Sequence, residues 1–502
     1  MKKYQVLTPT TNTIFYLIIL LGAILRLHQI AKRDFWYDEA FTGVAIKESF
    51  SSMLRMITTD VHPPLYYFLV KIFAHPFSYS VFGIRLFSAI FGIISIWIVY
   101  KITKELFEHK ASIWASLITA ISPFAIEYSQ EARMYALVGF LLLTATYFFI
   151  CGLKTNNPLY YLLWGIFLGL SALTHYIGIV FAPLFLIVFV YWKATEDNLL
   201  NQNLSSRNIS LLLKKILPNK GIYIGYITSL VLFSIWISKF LVHLKAGNLS
   251  WIKPVELSSI ILNIQIFLFG NPKGEFSAGM PFPNEIYGMA TNTLLVLLVI
   301  FLCIIIFSLA KYRKREMGLT AIFSFGFLLI VYSLSRLGMH YMVSRYLLPA
   351  SFFIFILIGV WLSRLRPLYL FSFLALYIIL LFSIIPTGNS TGYNALLKNI
   401  DKYKNNNIYI LNSFDYVIAK YYFGADKIIL YNIDWPQYDS SHWSAMGNSL
   451  KRTENYDDLI KDKSALILYN ESGRPEDRSD KSFNPIKYRE VDRYANVVLY
   501  RP

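Results

Sequence analysis

Two adjacent carboxylates, Asp38 and Glu39, stand in the sequence Trp-Tyr-Asp-Glu-Ala just beyond an apolar run. Carboxylates there could take a proton, ligate a metal or place negative charge at the start of the next helix. His62 opens His-Pro-Pro, where the prolines set a helix entry angle and the imidazole suits a metal, a phosphate or plain packing. A second acidic cluster, Glu127, Glu131 and Arg133, lies in SPFAIEYSQEARMYAL, with Tyr135 two residues on. Glu127 and Glu131 share one face if the segment is helical. Glu131 could equally pair with Arg133 or Arg85. Arg85 lies in an apolar run where facing lipid is costly, so it snorkels or meets an acid or an anion. His175 falls in a tight turn, Leu-Thr-His-Tyr. Arg345 and Tyr346 open another apolar run, close to Arg336 and His340. A guanidinium grips phosphate well through its planar fork, and it also snorkels at interfaces.

The elements that carry these residues are apolar helices. Runs of about 18 or more apolar residues recur, each long enough to cross a hydrocarbon core of about 30 Å. About eleven spanning helices are expected, centred near 14–30, 82–100, 111–127, 134–152, 159–174, 177–192, 222–241, 291–310, 318–335, 346–363 and 368–385. Bases concentrate in alternate connections: Lys2 and Lys3; Lys101, Lys104 and Lys110; Lys154; Lys193 through Lys220; Lys311 through Arg315; Arg364 and Arg366. By the positive-inside rule the N-terminus is cytoplasmic, and every candidate residue falls on the outer side. The division expected is a membrane module over 1–386 and a small soluble α/β domain over 387–502. The first outer loop, 31–81, holds interfacial helices; the run after His62 is too short to span. The second, 242–290, is rich in Gly, Pro and aromatics and suits a lid or groove. In the tail, NIYILN, KIILYNI, ALILYN and NVVLYRP read as strands, with SFDYVIAKYYFG and DDLIKDK as helices.

Composition agrees. Of 502 residues 56% are hydrophobic and 15% charged, and the mean hydropathy is +0.47, too apolar for a soluble surface. The formal charge of +17 resides in short loops of the membrane part, since the tail is nearly balanced. That pattern argues against nucleic-acid binding. The two cysteines, Cys151 and Cys303, make no disulfide framework or metal motif. The N-terminal apolar run lacks a small-residue cleavage site and carries Arg26 late, so it reads as an uncleaved first helix.

Taken in order, WYDEA, HPPLYY, the Arg85–Gly92 stretch R-x-x-S-x-x-x-G, YSQEARMYAL, THY and SRYLLP resemble the GT-C glycosyltransferases. The nearest branch is the family-39-like group, with protein O-mannosyltransferases and aminoarabinose transferases. The resemblance covers roughly 10–385. It implies a polytopic helical fold and transfer of a sugar, with inversion, from a polyprenyl-phosphate donor to a hydroxyl acceptor outside the cytoplasm. It implies Asp38 as the catalytic acid of the DE pair with Glu39 beside it, and Glu131 or Glu127 as the second-loop acid. Arg85, Arg133, Tyr135, His62, His175, Arg345 and Tyr346 are then the substrate-binding candidates. Some relatives hold a divalent metal ion through a first-loop acid just before the Pro-Pro and a histidine. Here Val61 precedes His62 and Asp60 lies one step further, so that cofactor stays open and no metal ligand is assigned.

The expected partners are the lipid-linked donor, the hydroxyl acceptor and membrane lipid, in a bacterial plasma membrane. The rival class is a transporter or flippase of lipid-linked saccharides. Inverted-repeat transporters place their polar residues at the bilayer midplane, whereas these gather at the outer rim.

Overall fold

The computed structural model describes residues 9–60, 62–196, 218–246, 255–270, 312, 314–339, 341–384, 392–411, 413–431, 452–453, 459, 461–470 and 489–501. In chain order the helices are α1 Pro9–Leu27, α2 Tyr37–Lys47, α3 Phe50–Thr59, α4 Leu65–Ala74, α5 Val81–Leu106, α6 His109–Ile121 and α7 Pro123–Ser129. Next come α8 Tyr135–Thr155, α9 Pro158–Thr174, α10 Ile177–Glu196, α11 Lys220–Ser234, α12 Ile237–Ala246 and α13 Ser258–Phe269. The last are α14 Arg315–Met339, α15 Leu348–Leu362, α16 Pro367–Ile384, α17 Tyr393–Lys398 and α18 Ser413–Phe423.

Among the described residues five helices are long and apolar enough to cross a membrane, with Ser344–Leu362 counted from its leading turn. The α11–α12 pair, bent by 74°, makes a sixth if it is one span. The chain is a multi-pass membrane protein. The span expected at 291–310 lies outside the described residues, as do His340 and most of the 242–290 loop.

The chain divides into two compact units, 1–28 with 88–272 and 282–385, and 29–87 with 273–281 and 386–502. In the first unit α15 is buried throughout its length. α9 and α11 meet through small residues: a Cβ on Gly165 would stand 2.3 Å from the Gly225 carbonyl oxygen. Gly165 and Gly169 on one helix, and Gly221 and Gly225 on the other, give both the small-xxx-small spacing that lets apolar helices approach in lipid. α13 lies within the 242–290 segment. Its apolar sequence SSIILNIQIFLF is helical, and Phe267 is fully buried. The Ser122 hydroxyl donates to the Phe267 carbonyl at 3.0 Å and the Tyr377 hydroxyl to that of Leu268 at 2.7 Å. This part of the loop is anchored because its side chains gain more from burial than from exposure.

In the second unit, α4 is ten residues long, about 15 Å at 1.5 Å per residue and far short of a span. The sheet comprises β1 Asn407–Ile410, β2 Ile428–Tyr431, β3 Arg452–Thr453, β4 Ala465–Asn470, β5 Arg489–Tyr494 and β6 Val497–Arg501, in the order β3-β2-β1-β4-β6-β5. The first four run parallel, and β6 pairs antiparallel with both β4 and β5. β5 and β3 escape a hydropathy reading: REVDRY is mostly exposed on a sheet edge, and β3 is two residues long.

Candidate active site

Asp38, Glu39, His62 and Arg85 belong to the unit built from 29–87 and the tail; Glu127, Glu131, Arg133, Tyr135, His175, Arg345 and Tyr346 belong to the other.

In the first set, Asp38 and Glu39 occupy the first turn of α2, where the helix dipole favours negative charge. Their fates differ. Glu39 is 2% exposed and receives two hydrogen bonds from Arg85, Nε to Oε1 at 2.8 Å and Nη2 to Oε2 at 2.6 Å. The rest of the Arg85 fork donates to backbone carbonyls: Nη1 to Ile30 and Arg33, at 2.9 and 2.8 Å, and Nη2 to Asp34 at 3.1 Å. A guanidinium has five N–H donors, and all five are engaged. Arg85 therefore meets an acid, one of the outcomes open in the sequence, and the pair ties the loop down. Asp38, next in the turn, is half-buried, and its carbonyl accepts from the Thr42 hydroxyl at 3.1 Å.

His62 is buried beside Asp60, Nδ1 to Oδ2 at 3.0 Å, and the Tyr67 hydroxyl donates to the same oxygen at 3.4 Å. Among the described residues no three His, Cys, Asp or Glu side chains gather as metal ligands. The Asp60–His62 pair alone falls short of the three protein ligands of a zinc site.

In the second set, α7 ends at Ser129 and Gln130 caps it. Glu127 and Glu131 therefore do not share the face of one continuous helix. The junction after Ser129 is shaped by α1. Pro123 has no N–H, so the Thr119 carbonyl loses its helical donor, and Arg26 supplies one from Nη2 at 3.0 Å. Arg26 also donates to the Ala120 carbonyl at 2.9 Å and to the Ser129 hydroxyl at 3.1 Å. Gln130 Nε2 lies 3.0 to 3.2 Å from the carbonyls of Leu25, Arg26 and His28, at the C-terminal end of α1. A Cβ on Gly92 would stand 2.0 Å from the Ser129 hydroxyl, and the Ser88 hydroxyl donates to the Arg133 carbonyl at 3.2 Å. The Ser and Gly of the R-x-x-S-x-x-x-G stretch thus serve this junction. Arg26, Ser129 and Gln130 escaped the reading of site residues. The signal for Arg26 was an arginine buried in an apolar span, where backbone carbonyls are its natural partners.

Beyond the junction four predicted residues converge. The rings of Tyr135 and His175 lie 5.9 Å apart, those of Tyr135 and Tyr346 6.0 Å, and those of His175 and Tyr346 4.7 Å. The Arg345 guanidinium lies 5.7 Å from the centroids of both tyrosine rings, a cation–π arrangement. All four side chains are buried. The Ile177 backbone N–H donates to His175 Nδ1 at 3.1 Å, which puts the proton of the neutral ring on Nε2. Arg133 and Glu131 bear electrostatically on the Tyr135 hydroxyl, and Glu127, Glu131 and Arg345 on that of Tyr128. Such a cluster sets a guanidinium, an imidazole and two phenol rings together, with acids and a second arginine in electrostatic reach, and suits a polar ligand.

Residues 61–213 match the family model of dolichyl-phosphate-mannose-protein mannosyltransferase. No curated protein matches the chain by sequence. Two crystal structures of ArnT from Cupriavidus metallidurans are similar along nearly its whole length. The apo form aligns with a TM-score of 0.61 at 12% identity, and the form bound to undecaprenyl phosphate with 0.58 at 11%; each alignment covers 98% of both chains. The apo oligosaccharyltransferase of Archaeoglobus fulgidus aligns over 93% of this chain and 70% of its own, at 14% identity and a TM-score of 0.48. The fold is of the GT-C type that the order of motifs anticipates.

Proposed function

We propose that the chain is an inverting glycosyltransferase that moves a sugar from a polyprenyl-phosphate donor to a hydroxyl acceptor on a lipid, a glycan or a protein. The observation that carries the reading is the likeness to ArnT over 98% of both chains, one of those structures having been solved with undecaprenyl phosphate. The match of 61–213 to the family of dolichyl-phosphate-mannose-protein mannosyltransferase points the same way. Both favour transfer over the rival reading, a flippase of lipid-linked saccharides.

In this mechanism Asp38 takes the proton of the acceptor hydroxyl. The acceptor oxygen forms its bond to the anomeric carbon as the bond from that carbon to the phosphate oxygen breaks, on the opposite face. The electron pair leaves with the lipid phosphate. Arg345 and Arg133 stabilise the charge that grows there, with Tyr135, His175 and Tyr346 as polar contacts. Glu131 or Glu127 orients the sugar or the acceptor. Glu39 and Arg85 serve the site by holding the loop that carries Asp38. Eleven spans, a cytoplasmic N-terminus and an outer site in a bacterial plasma membrane complete the reading, with 387–502 as the extracytoplasmic domain. Burial of the arginines, the charge bias of the loops and the motif order support it.

The test uses proteoliposomes of the full chain and a panel of radiolabelled undecaprenyl-phosphate hexoses and pentoses. Label passing to an acceptor supports transfer; label crossing the bilayer still on its lipid would identify a flippase. Asp38→Asn should lower transfer by about 100- to 10,000-fold while the protein remains folded and inserted. An active, inserted Asp38→Asn would remove Asp38 from its role.

A further inference from the structure

The C-terminal sheet directs its buried polar groups at the segment that leads into Asp38. β1 lies between β2 and β4, all parallel. The chain leaves β1 through α18 to reach β2 on one side and returns later as β4 on the other. In open α/β sheets the crevice beyond the carboxyl ends of the strands at such a divergence is the usual place for a ligand. Here Asp415, in the first turn of α18, and Asn470, the last residue of β4, meet at that crevice, with Asn470 Nδ2 donating to Asp415 Oδ1 at 3.0 Å. The Tyr393 hydroxyl donates to the same oxygen at 2.9 Å. The position is filled by the protein's own tyrosine.

The backbone of that tyrosine is in turn held by the first loop. Asp34 Oδ2 accepts from the N–H groups of Gly392 and Tyr393 at 2.8 and 3.0 Å, and Oδ1 from that of Asn394 at 3.0 Å. Asp34 is buried and lies four residues before Asp38. Next to it, the Phe35 N–H donates to the Tyr422 hydroxyl at 2.9 Å, and the Tyr393 and Tyr422 rings stack at 5.8 Å. At the other end of α2, Lys47 donates to the Tyr421 carbonyl at 2.8 Å, its ammonium 4.0 Å from the centre of the Tyr421 ring. Both ends of α2 are therefore fastened to the C-terminal segment, through residues that the glycosyl-transfer mechanism does not use.

We propose that the C-terminal sheet is a clamp for the catalytic loop. The chain of hydrogen bonds Asn470–Asp415–Tyr393–Asp34, reinforced by Tyr422, sets the first turn of α2 and hence the aim of Asp38. Asp34, Tyr393 and Tyr422 are positioning residues; they act through Asp38, so the proposal rests on the reading of Asp38 as the base. A misplacement of about 1 Å in a reacting group can cost about 100-fold in rate, which is why a base on a loop needs such restraint.

The experiment uses the full chain in nanodiscs and whichever labelled undecaprenyl-phosphate sugar the native protein transfers. Asp34→Ala should lower kcat by about tenfold or more with the donor KM within about twofold of native. Hydrogen exchange of residues 35–47 should quicken while α8 and α15 stay as in the native chain. Asp34→Asn, which keeps an acceptor for the N–H groups, should recover most of the lost kcat. Native kcat and native exchange in Asp34→Ala would overturn the clamp. So would a parallel loss of kcat and donor affinity with faster exchange throughout, which is general destabilisation. If Asp34→Ala fails to insert, Tyr422→Phe, which removes one hydroxyl, is judged by the same readouts. An active Asp38→Asn would remove the reading beneath the proposal; an inactive Asp38→Asn beside a fully active Asp34→Ala would remove the clamp alone.

Discussion

Arg85 and Arg345 are both buried arginines that the sequence places near apolar helix ends, yet their surroundings differ. In the first-loop unit Arg85 spends its fork on Glu39 and three carbonyls. In the helix-end cluster Arg345 lies against the faces of Tyr135 and Tyr346, beside His175. A carboxylate neutralises a guanidinium and fixes it to the fold. A ring face adds a cation–π attraction and sets the direction of the guanidinium. Residues of one type at similar sequence positions thus meet different partners: Arg85 is a fastener of the first loop, and Arg345 sits among aromatic rings, where the proposed mechanism gives it the donor phosphate.

Substitutions can break or sharpen that contrast. Arg85→Ala strands the Glu39 carboxylate in a buried site and should cost about 3–5 kcal/mol, read as a fall in melting temperature and in the yield of folded protein. Pairing it with Glu39→Leu should restore much of the loss. No loss in the single variant would mean that the pair is not a fastener. Arg345→Ala should leave folding nearly intact and weaken undecaprenyl phosphate binding about tenfold, about 1.4 kcal/mol, with a smaller effect on the acceptor. Equal weakening of donor and acceptor would count against the phosphate role. The smallest effect concerns Asp492 on β5, whose carboxyl is held down to about 2 by hydrogen bonds from Lys402 and Tyr403. Its folded value lies below the ordinary 3.8, so this support is complete above that value and fades as the pH falls toward 2. Hydrogen exchange over 489–501 should quicken in that window, and Asp492→Asn should flatten the response.

Much of the molecule was legible in the primary structure because lipid imposes simple rules. Apolar length marks the helices, and the apolar runs in NIYILN and ALILYN mark β1 and β4. Motif order carried the fold type and the residues worth testing. The pairing of polar residues escaped. Asp34 is one acid among several in the first loop, and nothing local says that its partners lie more than 350 residues away at Gly392 to Asn394. Nor does WYDEA say that Glu39, and not Asp38, is the acid that Arg85 takes.

The sequence by itself determined that the chain lives in a bilayer, and where most of the described apolar helices fall. Hydropathy and charge act residue by residue, so a linear reading captures them. Only the tertiary structure decided which charges are spent on holding the fold. A hydrogen bond depends on distances of about 3 Å between groups that the chain separates by tens or hundreds of residues.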